Sequence, residues 1–161
     1  MAIGNIPYNI TTSILFHIFK NYEKFESVTL MVQDEYAKRM SAKVSSSEYG
    51  KLSLTTQLFT DSIEYITKVE PTKFIPQPKV NSAVIKLNLS TNKIDKELIP
   101  FIKNIFSMRR KTLSNNLKRM NYTKEDIDKV LKRLNLKPTI RPQELTLLDV
   151  KNLFELLKNN I

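Results

Sequence analysis

Along the first ninety residues the apolar positions switch between two periods. In residues 12–21 (TSILFHIFKN) Ile14, Leu15, Ile18 and Phe19 fall on one face of a 3.6-residue repeat, which predicts a helix with Thr11 or Thr12 as its N-cap. Residues 28–32 (VTLMV) form a short apolar run of strand formers. Residues 34–43 (DEYAKRMSAK) read as helix again, with acids in the first turn and bases later, the order the macrodipole favours. Three serines at 45–47 read as loop. In residues 49–59 (YGKLSLTTQLF), Leu52, Leu54 and Leu58 settle on no single period, and helix is the reading adopted. Residues 63–69 (IEYITKV) alternate like a half-buried strand, and residues 80–89 (VNSAVIKLNL) predict another. The segment between them, PTKFIPQP, has prolines at 71, 76 and 78, and prolines that dense force an extended loop outside any ladder.

From residue 95 onward the pattern is helical throughout. Helices are predicted over residues 100–107 and 111–120. Thr123 opens a third, with Asp126 three residues on and Tyr122 and Ile127 placed as a hydrophobic staple. Thr146 opens the last, where Val150, Leu153, Phe154 and Leu157 make an i, i+3, i+4, i+7 stripe. Residues 90–96 (STNKIDK) are the natural joint, giving an α/β part over 1–92 and a helical part over 93–161. Strand, helix, strand, helix and two further strands predict the second half of a layered α/β sheet. Sheets of this kind place their sites at the carboxyl ends of strands. Residues 2–5 would be the end of one such strand, which makes the Asn5-Ile6-Pro7-Tyr8 turn a site candidate.

Charge sharpens this division. The net charge is +10, and residues 101–161 hold 14 basic and six acidic side chains, against 12 and 10 in residues 1–100. A positive surplus focused on one segment is the footprint of a polyanion binder, nucleic acid first. With no cysteine there is no disulfide framework, thiolate metal site or thiol nucleophile. No run of about 18 apolar residues exists to span a membrane. The N-terminus lacks a secretory layout, so a cytoplasmic setting is expected. His17, the one histidine, lies on a helix without a partner histidine or cysteine, and the acids are scattered, so no metal site is expected.

An amide beside a ring, with no acid or histidine, suits one kind of chemistry. The exocyclic amine of a nucleobase is a poor nucleophile because its lone pair is delocalised into the ring. It needs acceptors that hold its N–H bonds and let nitrogen pyramidalise, rather than a strong base. The Asn5 side-chain oxygen and the carbonyl of Ile6 or Pro7 are suitable acceptors, and Tyr8 is suited to stack on the base. That arrangement fits methyl transfer to an amine.

The sequence GNIPYNIT resembles the catalytic motif of the rRNA adenine N6,N6-dimethyltransferases acting on small-subunit rRNA. The resemblance continues in order through VQDEYAKRM, SSEYGKLSLTTQ, FIPQPKVNSAVIKL, FSMRRKTLSNNLK and RPQELTLLDV, nearly the whole chain. It implies a Rossmann-like, S-adenosylmethionine-dependent methyltransferase sheet followed by a small helical domain. It also implies that Asn5, Ile6, Pro7 and Tyr8 hold the target adenine and that Phe74 supplies a second aromatic wall. The implied targets are two adjacent adenines near the 3′ end of the small-subunit rRNA, within the small ribosomal subunit or its precursor. Arg109, Arg110, Lys111, Lys118 and Arg119, with no acid from Lys103 to Arg119, are then expected to contact phosphates. Arg141, before Pro142, is expected to pair with a carboxylate or a helix end.

One departure bears on the donor. The family's donor site includes a glycine-rich turn and an acidic residue ahead of the NIPY motif. This chain has two glycines, Gly4 and Gly50, and no GxGxG. Asn5 would stand at the edge of the donor site with the remainder absent. The expectation is a target-binding portion that binds S-adenosylmethionine weakly or not at all and is inactive alone. The alternative is a non-catalytic RNA- or ribosome-binding module built on the basic helices.

Overall fold

The structure, a computed structural model, describes residues 1–159. It divides into two compact units, one of Met1–Ser41 with Thr56–Ile94 and one of Ala42–Thr55 with Asp95–Ile161.

The first unit is built on a four-stranded sheet. Its strands are β1 (Ala2–Asn5), β2 (Ser27–Gln33), β3 (Thr60–Val69) and β4 (Ser82–Leu89), in the order β1-β2-β4-β3. β1 runs parallel to β2, whereas β4 is antiparallel to both β2 and β3. The parallel pair is joined by α1 (Thr11–Lys20), and α2 (Asp34–Met40) follows β2 directly and packs on β2 and β4. The period-2 pattern puts Val28, Leu30 and Val32 opposite Leu87, Ile85 and Ala83, all buried on one face. In α1 the apolar residues Leu15, Ile18 and Phe19 are buried. Phe19 stacks on Phe59 at 4.7 Å between ring centres, and Tyr22 meets Phe59 edge-on.

In the second unit, α4 (Leu98–Ile105) packs against α5 (Leu113–Arg119) and α7 (Leu147–Lys158), and α6 (Lys124–Arg133) packs against α5 and α7. Thr112, Thr123 and Thr146 cap α5, α6 and α7, each accepting from the backbone N–H three residues on. The Val150, Leu153, Phe154 and Leu157 stripe is buried as its spacing predicts. Pro100 falls inside the first turn of α4, where its missing N–H has no helical partner to lose. A further helix, α3 (Lys51–Phe59), contains the Thr55/Thr56 boundary between the units.

Three expectations change in detail. Neither Thr11 nor Thr12 caps α1. A 3-10 turn at Tyr8–Ile10 leads into the helix, and the Thr11 hydroxyl instead donates back to the Pro7 carbonyl at 3.2 Å. Strand β3 is longer than its alternation suggests and mostly exposed, with Tyr65 40% and Ile66 53% accessible. The reason is its place at the sheet edge and a register shift between Tyr65 and Thr67, which takes the alternation out of phase. Strand β4 begins at Ser82, so Val80 and Asn81 belong to the loop before it.

Candidate functional site

The carboxyl end of β1 opens into the NIPY turn. The Ile6 amide donates to Met31 at 3.1 Å, which extends the ladder one residue past the strand. The Ile6 side chain turns inward and is buried. A Cβ on Gly4 would stand 3.1 Å from Ile6 Cδ1, so the glycine makes room for that side chain. Pro7 then starts the 3-10 turn, and its carbonyl accepts from both the Ile10 amide and the Thr11 hydroxyl, each at 3.2 Å. Both lone pairs of Pro7 are therefore used within the turn. Of the two backbone acceptors that the sequence offers, the Ile6 carbonyl is the one left open. Among the described residues neither it nor the exposed Asn5 amide has a hydrogen-bond partner.

Tyr8 is half-buried, and its hydroxyl is hydrogen-bonded to that of Ser82, which is 1% exposed at the start of β4. This bond ties the turn after β1 to a strand 74 residues further along. Phe74 comes from the loop before β4, where the Phe74 amide donates to Pro71 and the Lys73 amide to Glu70. Asn5, Ile6, Pro7, Tyr8, Phe74, Pro76 and Pro78 together line one cavity of about 210 Å³. A larger cavity of about 420 Å³ lies at the opposite end of the strands, between residues 22–26 and Leu89–Thr91. Beside the first cavity's end of the sheet, Asp34 accepts from Tyr65 at 2.6 Å and pairs with Lys38 at 2.8 Å. Burial works to raise the Asp34 pKa, but the bonds from Lys38 and Tyr65 outweigh it and hold the carboxyl below its ordinary range. Burial and the Asp34 carboxylate push the Tyr65 phenol up to about 12.

The basic residues named from the sequence separate into two kinds. Arg110, Lys111, Lys118 and Arg119 are exposed on and before α5. Arg109 also has an exposed surface, but its Nη2 donates at 2.6 Å to the carbonyls of Ser47 and of Tyr49, which clamps that loop. Two residues that sequence reading passed over hold this region together. Asn116, fully buried, accepts from Ser107 and the Met108 amide and donates to the Met108 and Thr112 carbonyls. Buried Tyr49 donates to the Leu145 carbonyl at 2.9 Å, and burial, with Asp149, raises its phenol to about 12. Arg141 meets the Glu144 carboxylate through its backbone amide at 2.7 Å. His17 is exposed, and among the described residues no cluster of histidine, aspartate and glutamate is placed to hold a metal. Among them also, no helix is long and apolar enough to cross a membrane.

The fit to a methyl donor is partial. Gly4 is a strand residue packed on Ile6, and Gly50 lies in a loop of the second unit, so neither forms a phosphate- or nucleoside-cradling turn. Within the NIPY turn, the Asn5 amide is the one side-chain polar group without a hydrogen-bond partner among the described residues, beside the open Ile6 carbonyl.

Comparison with known proteins adds the lineage. Residues 1–159 match the family described as ribosomal RNA adenine dimethylase. The ribosomal RNA small subunit methyltransferase A of Mycoplasma mobile is 47% identical over 158 residues, covering 96% of this chain and 61% of that protein. The chain thus spans 61% of the length of this relative. A crystal structure of a dimethyladenosine transferase from Plasmodium falciparum superposes with a TM-score of 0.83 at 27% identity, covering 100% of this chain and 68% of that one. The 23S rRNA methyltransferase ErmE shares the fold, at a TM-score of 0.69 and 22% identity. The sheet described above is the C-terminal half of a Rossmann-like methyltransferase sheet, followed by a small helical part. With the family match running from residue 1 to residue 159, this chain belongs to the ribosomal RNA adenine dimethylase family.

Proposed function

We propose that this chain is the target-adenine side of an enzyme that dimethylates N6 of two adjacent adenines near the 3′ end of small-subunit rRNA. The observation that carries the reading is the 210 Å³ cavity whose wall combines the open Asn5 amide with the rings of Tyr8 and Phe74. An extruded adenine lies between the two rings, and its amine donates to Asn5 Oδ1 and the Ile6 carbonyl. Those acceptors favour a pyramidal nitrogen, whose lone pair is no longer delocalised, and so raise its nucleophilicity. S-adenosylmethionine supplies the methyl group when bound. With neither Gly4 nor Gly50 in a cradling turn, this chain alone does not hold the donor and is inactive without further residues. Exposed Arg110, Lys111, Lys118 and Arg119, within the helical residues 93–161, bind rRNA phosphates in the small subunit or its precursor, in the cytoplasm.

The test is transfer of labelled methyl from S-adenosylmethionine to small subunits that lack the adenine methylation. The assay uses this chain, a form extended by the donor-binding residues of the Mycoplasma mobile relative, and Asn5→Ala in each. Label is expected only with the extended form, and Asn5→Ala is expected to reduce it at least a hundredfold. Label from the extended form that is indifferent to Asn5→Ala would remove the acceptor assignment. Subunit binding with no label from either form would favour the non-catalytic module.

A further inference from the structure

Ile75 is the most exposed large apolar side chain among the described residues, with a relative accessibility of 102%. Its neighbours Phe74 and Pro76 both line the base-sized cavity, but Ile75 does not. The loop that presents it is braced. Backbone bonds from Lys73 to Glu70 and from Phe74 to Pro71 close its first turn, and prolines at 71, 76 and 78 fix its course. A full isoleucine held away from any protein surface gains nothing from folding. Lys73 and Lys79 flank it, both exposed, and Glu70 at the base is the one acid from residue 70 to 81.

We propose that Ile75 is a wedge that enters the RNA stack at the gap left by the base held in the adjacent cavity, with Lys73 and Lys79 on the neighbouring phosphates. The inference rests on the acceptor reading of that cavity. Extruding a base costs unstacking on both of its sides and leaves an apolar slot between its neighbours. An aliphatic side chain next to the cavity fills that slot, recovers apolar contact and slows return of the base. Phe74 and Ile75, adjacent in the chain, then divide the work: the ring receives the base, and the aliphatic group occupies the place it left. The two lysines give the loop the charge that an RNA step requires and a protein partner's apolar patch does not.

The experiment uses the full chain and an RNA hairpin whose loop holds two adjacent adenines, with 2-aminopurine as the stacked neighbour of the target adenine. Saturation with the wild-type chain is expected to raise the fluorescence as the base leaves its stack. Ile75→Ala is expected to lose most of that rise and about tenfold in affinity, whereas Ile75→Met retains both. A second hairpin is abasic at the target adenine. There no base enters the cavity, but Ile75→Ala still binds about tenfold more weakly. Equal binding of Ile75→Ala and wild type to the abasic hairpin, or an undiminished fluorescence rise, overturns the wedge and leaves the acceptor cavity standing. A wild-type complex that saturates without any rise overturns both. Thermal unfolding of Ile75→Ala is expected to match the wild type, since the side chain buries nothing.

Discussion

Single residues in the NIPY turn have separate tasks that their common motif conceals. Ile6 is packing, and its backbone carbonyl is the open acceptor. Pro7 and Thr11 close the turn. The Tyr8 hydroxyl bonds to Ser82, which fixes the plane of the ring. That assignment predicts an asymmetry in denaturant unfolding. Tyr8→Phe strands the buried Ser82 hydroxyl and is expected to cost about 1.5 kcal/mol. Ser82→Ala leaves a half-exposed phenol that water can reach and is expected to cost about half as much. In the double mutant the two losses are non-additive. Strict additivity would show that the hydroxyls do not depend on each other. The amide, the proline and the ring were legible in the sequence because their chemistry is intrinsic to the side chains. The use of both Pro7 lone pairs was not, since it follows from the 3-10 turn rather than from proline itself. Arg109 taught the opposite lesson from its neighbours. A cation that donates to two main-chain carbonyls has the same letter as one that faces solvent, and only the fold separates them.

At the scale of elements, the helices of the second unit were read well because their signals are local: threonine caps, the acids placed after them, and one apolar stripe. Their ends were less visible. With two glycines in the chain, α5 and α6 stop at asparagine instead, Asn121 and Asn135, at φ 68 and 53. Each sits where the next residue's amide reaches back to the helix, Tyr122 to Leu117 and Leu136 to Leu131. Strand β3 was the least legible element, because edge position is a property of the sheet and not of the strand. It is tied to the start of α2 by the Tyr65 to Asp34 hydrogen bond. Asp34 has a lowered pKa in the folded state, so its contribution is full above its ordinary value of 3.8 and is lost as pH falls below that. Tyr65 has a raised one, so its contribution is full below 10.0 and is lost as pH climbs through about 12. Stability followed from pH 2 to 7 is expected to drop at the acid end, and Asp34→Asn is expected to flatten that drop. An unchanged acid limb in the variant would show that the bond carries no weight.

For the whole molecule, the surplus of positive charge in residues 101–161 predicts how binding responds to salt. Under the proposed RNA-binding role, each phosphate contact by Arg110, Lys111, Lys118 or Arg119 is expected to add about 0.7 to the slope of log affinity against log salt for single-stranded RNA. Alanine at Lys118 or Arg119 is expected to reduce that slope by about this amount without changing the melting temperature. Arg109→Ala is expected to do the reverse, lowering the melting temperature while leaving the slope close to that of wild type. Titrations at four salt concentrations, beside a thermal scan, distinguish the two patterns. Equal slope losses at Arg109 and Lys118 would put the clamp residue among the RNA contacts.

The placement of residues 42–55 in the second unit has a practical side for anyone exchanging parts between relatives. A graft that takes everything after residue 94 from another family member looks clean on paper. It would install a foreign helical end while keeping the host's Tyr49, whose hydroxyl must find the Leu145 carbonyl, and the host's loop carbonyls, which must receive Arg109. A working hybrid therefore needs two inserts cut from the same donor, one for 42–55 and one for the C-terminal stretch. Lineages that trade only one of them inherit a lock without its key.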